Sequence, residues 1–316
     1  MSGAPSPARP EPADWSRLVR AAVGTLAEAG VEAPRVDAEL LAAHVLGQDR
    51  GSALARILAG ARPGPGEAEE FAALVGRRAA REPLQHVTGA APFHGLDLAV
   101  GPGVFVPRPE TETLVDEALR RGAVRARQGR RPLVVLDLCT GSGAIAAAVA
   151  VGLRERGIPA QVTAVELDPV AAGWAERNLT PHGVALRQAD ALVAGEDLAG
   201  SVDLVLSNPP YVPDAEEPPQ EEARRDPSLA LYGGGERGLD VPLGILRRAA
   251  VLLRPGGSVL MEHHETQGEE LSAAASASGA FADVRVLPDP AGRDRFLAAR
   301  RAPAADAPGV DGTMSP

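Results

Sequence analysis

The chain predicts an α/β fold: a doubly wound, mostly parallel sheet preceded by a small helical domain. Three observations predict it. From residue 132 onward, short apolar runs alternate with stretches of helical period, the mark of parallel strands joined by crossover helices. The run Leu133 to Leu138 is apolar in the way of a strand buried on both faces. Residues 14 to 82 instead repeat apolar positions every three to four residues, which is helical. With 316 residues there is room for two ordinary domains.

Taken in order, residues 1–13 are rich in Pro, Ala and Ser and are expected to form a disordered tail. Trp15, Leu18, Val19, Ala22, Val23 and Leu26 share one helical face, and Gly30 stops that helix. Further helices are expected over Asp37 to Leu46 and Glu67 to Arg81, the latter after the breaker Arg62-Pro63-Gly64-Pro65-Gly66. These make a helical domain over 14–85, read as a packing or substrate-recruiting module. Residues 86–105, punctuated by glycine and proline around Leu96 to Val100, read as a linker carrying a β-hairpin. A helix follows Pro107 and Pro109 and runs to about Arg121.

The alternating domain spans 106–301. Strands are expected at Leu133 to Leu138, Val162 to Leu167, Val184 to Arg187, Val202 to Ser207, Gly257 to Met261, Phe281 to Leu287 and Arg295 to Ala299. Helices are expected at Ala144 to Leu153, Pro169 to Asn178, Leu239 to Leu253 and Gln267 to Ala277. The short link between the last two strands makes one of them antiparallel. Residues 302–316 form a second expected tail.

Composition narrows the function classes. The formal charge is −10, and all 32 basic residues are Arg. A grip on nucleic-acid phosphates calls for a basic surface, so nucleic acid is not expected as the substrate. Cys139 is the only cysteine, which forbids an intramolecular disulfide and fits a reducing, cytoplasmic setting. No apolar stretch of membrane-spanning length occurs, so no membrane association is expected.

The first candidate site is the turn Cys139-Thr140-Gly141-Ser142-Gly143, between the first sheet strand and its helix. Glycine there lets the backbone turn sharply and approach a ligand, and ligands of doubly wound sheets bind at the carboxyl ends of strands. Such turns also serve nicotinamide dinucleotides, flavins and purely structural ends. Glu166, 23 positions after Gly143 at the end of the second strand, is placed to accept from both ribose hydroxyls. Asp190, followed by Ala191, is placed near an adenine amino group. The bland alternative for either acid is a helix N-cap. Acids around the turn, Asp137 among them, suit the positive sulfonium of S-adenosylmethionine better than a pyrophosphate.

Ser207-Asn208-Pro209-Pro210-Tyr211 follows the fourth strand, at the same sheet edge. Two prolines fix the backbone and remove two N–H donors. The side-chain carbonyl of Asn208 and the main-chain carbonyl of Pro209 are then available to both hydrogens of an NH2 group, with Tyr211 offering a flat face to a planar substrate. An amide nitrogen is a poor nucleophile, and orienting it is worth roughly 7–11 kcal/mol in favourable intramolecular cases.

With these motifs in place, the chain resembles the PrmC/HemK family, the glutamine methyltransferases of peptide chain release factors. The resemblance rests on Glu82-Pro83-Leu84-Gln85-His86-Val87-Thr88-Gly89, on Val104-Phe105-Val106-Pro107-Arg108-Pro109-Glu110-Thr111-Glu112, on the glycine turn, and on Asn208 to Tyr211. It implies a class I, Rossmann-like methyltransferase sheet, S-adenosylmethionine as cofactor, and the Gly-Gly-Gln glutamine of release factors as acceptor, hence a part in translation termination. It carries over Cys139 to Gly143, Glu166 and Asn208 as cofactor contacts, and Asn208 to Tyr211 with Phe105 and Arg108 as the acceptor pocket. Cys139 stands where that family usually has Gly, and Ala191 where some members carry a bulky aromatic.

Other features are set aside. Glu262, His263, His264 and Glu265 are not expected to bind metal, because adjacent strand residues point to opposite sides. Six arginines between Arg120 and Arg131 read as a solvated helix end. The acidic stretch Asp214 to Asp226 reads equally as a lid or a solvated loop. Rival functions are methylation of another planar nitrogen, in a ribosomal-protein glutamine or an exocyclic adenine amine, and a non-catalytic nucleotide-binding module.

Overall fold

A computed structural model describes residues 14–129, 131–217 and 221–303. The tails expected at 1–13 and 302–316 lie outside these, apart from Ala302 and Pro303. Contacts divide the chain into two units, Met1–Gly89 with Gln220–Arg225, and Ala90–Pro219 with Asp226–Pro316.

The first unit holds α1 (Trp15–Glu28), α2 (Pro34–Val45), α3 (Arg50–Leu58), α4 (Glu67–Ala79) and α5 (Leu84–Thr88). Asp14 and Asp49 cap α1 and α3 by accepting from backbone N–H groups of the first turn. Trp15 is fully buried and meets Phe71 edge to face at 5.4 Å, among Leu26, Leu41 and Ile57. Arg78 is buried between Asp37 at 2.7 Å and Glu222 at 2.8 Å, so this part of the acidic stretch is spent on ion pairs. Breaking such a buried group strands the remaining charges. Helix α5 contains the position, 85, at which the sequence places the end of the helical domain.

The second unit begins with the expected hairpin, β1 (Ala90–Phe93) against β2 (Leu96–Ala99). There follow α6 (Glu112–Ala126), β3 (Leu133–Leu138), α7 (Ala144–Glu155), β4 (Ala160–Glu166), α8 (Pro169–Leu179), β5 (Ala185–Gln188) and β6 (Val202–Ser207). The chain closes with α9 (Ser228–Leu231), α10 (Asp240–Leu252), β7 (Leu253–Glu262), α11 (Gly268–Ala277), β8 (Phe281–Pro288) and β9 (Asp294–Arg301). The sheet order is β5-β4-β3-β6-β7-β9-β8. Pairing is parallel from β5 through β7, and β9 runs antiparallel to both its neighbours. Strand order reverses between β3 and β6, which opens a crevice at their carboxyl ends. Core clusters cover both faces of the sheet.

Helix α6 runs five residues beyond its expected end, and the arginines in its last turn and after it are not simply solvated. Asp203, fully buried on β6, draws Arg125 at 3.0 Å, Arg131 at 2.8 Å and Arg254 at 3.2 Å, and accepts from the N–H of Val134 at 2.8 Å. A buried carboxylate needs such partners. Arg130 lies outside the described residues.

Candidate functional site

Between β3 and α7 the backbone enters the left-handed region three times, at Cys139 (φ 60°), Gly141 (φ 57°) and Gly143 (φ 86°). Only glycine does so without cost, so Cys139 holds a strained conformation. Three side chains pin the turn. Asp137 accepts from Thr140 Oγ1 at 2.5 Å and from the N–H of Ala146 at 3.2 Å. Glu166 accepts from the N–H of Gly141 at 2.8 Å. Asn178 on α8 donates to the Ser142 carbonyl at 2.8 Å and pairs with the backbone of Ala99.

This turn forms one wall of a cavity of about 290 Å³ within the second unit. Cys139, Thr140, Gly141, Ser142, Glu166, Asp190, Ala191, Asn208, Pro209, Pro210, Tyr211, Phe105 and Arg108 all line it. The structure thus gathers every residue singled out from the sequence except Gly143, which does not line the cavity. Gly143 is the N-cap of α7, where an added Cβ would stand 2.9 Å from Leu179. Its reason is packing, not ligand approach. At Gly141 the space a Cβ would take is open, and there the main chain itself faces the cavity.

The carboxylates carry more structural duty than their spacing suggests. Glu166 also accepts from the N–H groups of Leu167 and Asp168, both at 2.9 Å. Three of about four lone-pair positions are therefore used, leaving room for one further donor where the sequence suggests two. Burial raises the Glu166 pKa, against the pull of those N–H groups. Asp190 is exposed and turns its own chain through the N–H of Leu192 at 2.8 Å. Burial pushes Asp137 up to about 7, and its Oδ1 has no partner. The Cys139 thiol is also pushed up, by burial and then by Glu166 and Asp137, so it is no thiolate nucleophile. These walls fit a nucleoside with a cationic side chain: an open glycine turn, acids along one side, and the apolar Leu167, Ala191 and Leu192.

At the other end stands Asn208-Pro209-Pro210-Tyr211. Among the described residues, neither the Asn208 side-chain amide nor the Pro209 carbonyl has a hydrogen-bond partner. Everything behind them is fixed. The Tyr211 N–H donates to the Leu231 carbonyl at 3.1 Å, and Gln267 Nε2 donates to the Tyr211 carbonyl at 2.9 Å. A Cβ on Gly238 would stand 2.2 Å from that same carbonyl oxygen, so only glycine permits the approach. The Tyr211 hydroxyl donates to Glu262 at 3.1 Å. Burial and the Glu262 charge push that hydroxyl's pKa up, so it remains a donor. Arg108, which also lines the cavity, lies 4.9 Å over the Phe105 ring and pairs with buried Asp226 at 2.9 Å.

Sequence reasoning assigned no individual role to Asn178, Thr111, Asp226 or Gln267, and set Glu262 aside. Asn178 offered one signal, since asparagine inside a helix is unfavourable unless its amide is used. Among the described residues no cluster of three or more His, Cys, Asp or Glu side chains is arranged to hold a metal. No described helix is long and apolar enough to cross a membrane.

Residues 17–89 match the family described as PrmC N-terminal domain, and residues 124–221 that described as Methyltransferase small domain. A protein of Streptomyces coelicolor named Release factor glutamine methyltransferase is 49% identical over 286 residues, 90% of this chain and 97% of that protein. Proteins of the same name from Bifidobacterium longum and Mycolicibacterium smegmatis are 43% and 44% identical. They match 89% and 90% of this chain, and 97% and 96% of their own lengths.

Proposed function

Since the chain belongs to the family of release factor glutamine methyltransferases, we propose that it methylates the side-chain amide nitrogen of the glutamine in the Gly-Gly-Gln motif of peptide chain release factors. It is an S-adenosylmethionine-dependent protein-glutamine N-methyltransferase, and we place it in the cytoplasm. One observation carries the acceptor reading. Asn208 and Pro209 line the cavity, and among the described residues neither the Asn208 amide nor the Pro209 carbonyl has a hydrogen-bond partner, on a backbone braced from behind.

Cys139 to Ser142, Glu166, Asp190, Ala191 and Asn208 would hold the cofactor, which when bound supplies an electrophilic methyl group on positively charged sulfur. The acceptor amide enters from the side of Phe105 and Arg108. Asn208 Oδ1 and the Pro209 oxygen accept its two N–H hydrogens, which turns the nitrogen toward the methyl group and supports positive charge as the new bond forms. Tyr211 flanks the amide plane. Once methylated, the nitrogen is acidic enough to release one proton to water, so no strong base is needed before attack.

The test is methyl transfer from labelled S-adenosylmethionine to a purified release factor, with a Gln→Ala change in its Gly-Gly-Gln loop as control. Label on the intact factor and none on the changed one is expected. Equal labelling of both would sink the assignment.

A further inference from the structure

Glu262 ends β7 with 1% of its surface exposed. Its Oε2 accepts from Thr111 Oγ1 at 2.6 Å and its Oε1 from the Tyr211 hydroxyl at 3.1 Å. Thr111 closes the short turn Pro109–Thr111 that follows Phe105 and Arg108. Tyr211 closes the segment that begins at Asn208. One carboxylate therefore joins the two strips of chain that wall the acceptor end of the cavity. The same stretch after β7 supplies Gln267, which holds the Tyr211 main chain.

We propose that Glu262 is a positioning residue for methyl transfer: by accepting from Thr111 and Tyr211 together, it sets the phenol ring against the acceptor amide. This rests on the reading of Asn208 to Tyr211 as the acceptor pocket. Both partners are hydroxyl donors, so the arrangement needs an acceptor at each carboxyl oxygen. A protonated Glu262 presents an O–H to one of them, and that hydroxyl must turn away. The charged and titratable groups around Glu262 are Tyr211 after β6, Arg295 on β9 and Glu110 in the turn before α6, with His263 next in the chain. Burial, the largest influence, pushes Glu262 up to about 7. Turnover then falls as pH drops through that value.

Wild type, Glu262→Gln, Tyr211→Phe and the double variant are compared for kcat, acceptor KM and the pH profile of kcat, with calorimetric binding of S-adenosylmethionine as the folding control. Each single variant is expected to lose about ten-fold in kcat, the worth of one hydrogen bond to a charged group. Each should also lose the acid limb seen in wild type. The double variant should be no slower than the slower single. Wild-type rate and profile in Glu262→Gln, or independent losses in the double, would overturn the proposal. Should Glu262→Gln fail to bind cofactor, Tyr211→Phe decides: an unchanged acid limb overturns it, a vanished one supports it. A wild type that does not label the acceptor glutamine overturns the pocket reading and this role with it. An active wild type with insensitive variants overturns this role alone.

Discussion

At Asn208 a single amide faces the cavity unpaired, and its removal should touch one step more than another. On the proposed role, Asn208→Ala takes away one of the two carbonyls that would orient the acceptor, so kcat is expected to fall about 100-fold or more. The Kd for S-adenosylmethionine should change much less. Isothermal calorimetry beside single-turnover rates separates the two, and a variant that turns over at the wild-type rate would exclude the role. Cys139 carries a different tension. Its left-handed backbone costs an L residue about 1–2 kcal/mol, while its thiol is too buried to ionise. Cys139→Gly should be at least as stable as the chemically milder Cys139→Ala, by up to about 1 kcal/mol. Urea midpoints rank the pair, and a more stable Ala variant would show the strain to be absent.

Elements announce themselves when their burial is uniform. The β3 run and the alternation after it give the sheet away, because a strand covered on both faces leaves little room for polar residues. Helix α3 is quieter: only Ala53 and Ile57 among its residues are buried, too few to impose a period. Helix α5 is a single five-residue turn between Pro83 and Gly89, and the sequence boundary between helical domain and linker cuts through it. The glycine turn was legible as a special turn at the sheet edge, but its two glycines serve different ends. Gly143→Ala would force a Cβ onto Leu179 in a left-handed conformation. It is expected to cost about 2–4 kcal/mol, strain and overpacking together. Chemical denaturation measures it, and a loss below about 0.5 kcal/mol would show that α8 yields there. Glu262 could not have been read this way. Its partners lie 51 and 151 positions away in sequence, and only the fold brings them to it.

Over the whole molecule, several buried carboxyls hold protons that the unfolded chain would release. Asp137 and Glu262 are pushed up to about 7 and Asp226 to about 6, chiefly by burial, from ordinary values of 3.8, 4.5 and 3.8. Between those limits the folded state binds more protons than the unfolded one, so stability drains away as pH rises through the window. Glu222 acts in the other direction. Its arginine partners push it down to about 2, and what it contributes is lost only as pH falls from 4.5 toward that value. The urea midpoint is therefore expected to fall between about pH 4.5 and about pH 7. The Asp137→Asn, Glu262→Gln double variant should lose most of that slope, and a midpoint that rises in wild type would contradict it. None of this was visible in the net charge of −10, which counts carboxyls without knowing which are buried.

In the proposed acceptor pocket, the unpaired carbonyls of Asn208 and Pro209 would also tell glutamine from glutamate. A primary amide brings two hydrogens to two lone-pair donors, whereas the carboxylate left by deamidation brings only more lone pairs and a negative charge. Sites built to hold an N–H reject the analogue lacking it by about 10⁴-fold. Chemically aged release factor, its loop glutamine already hydrolysed, would pass through the pool unmarked, and the methyl group would then certify an intact loop.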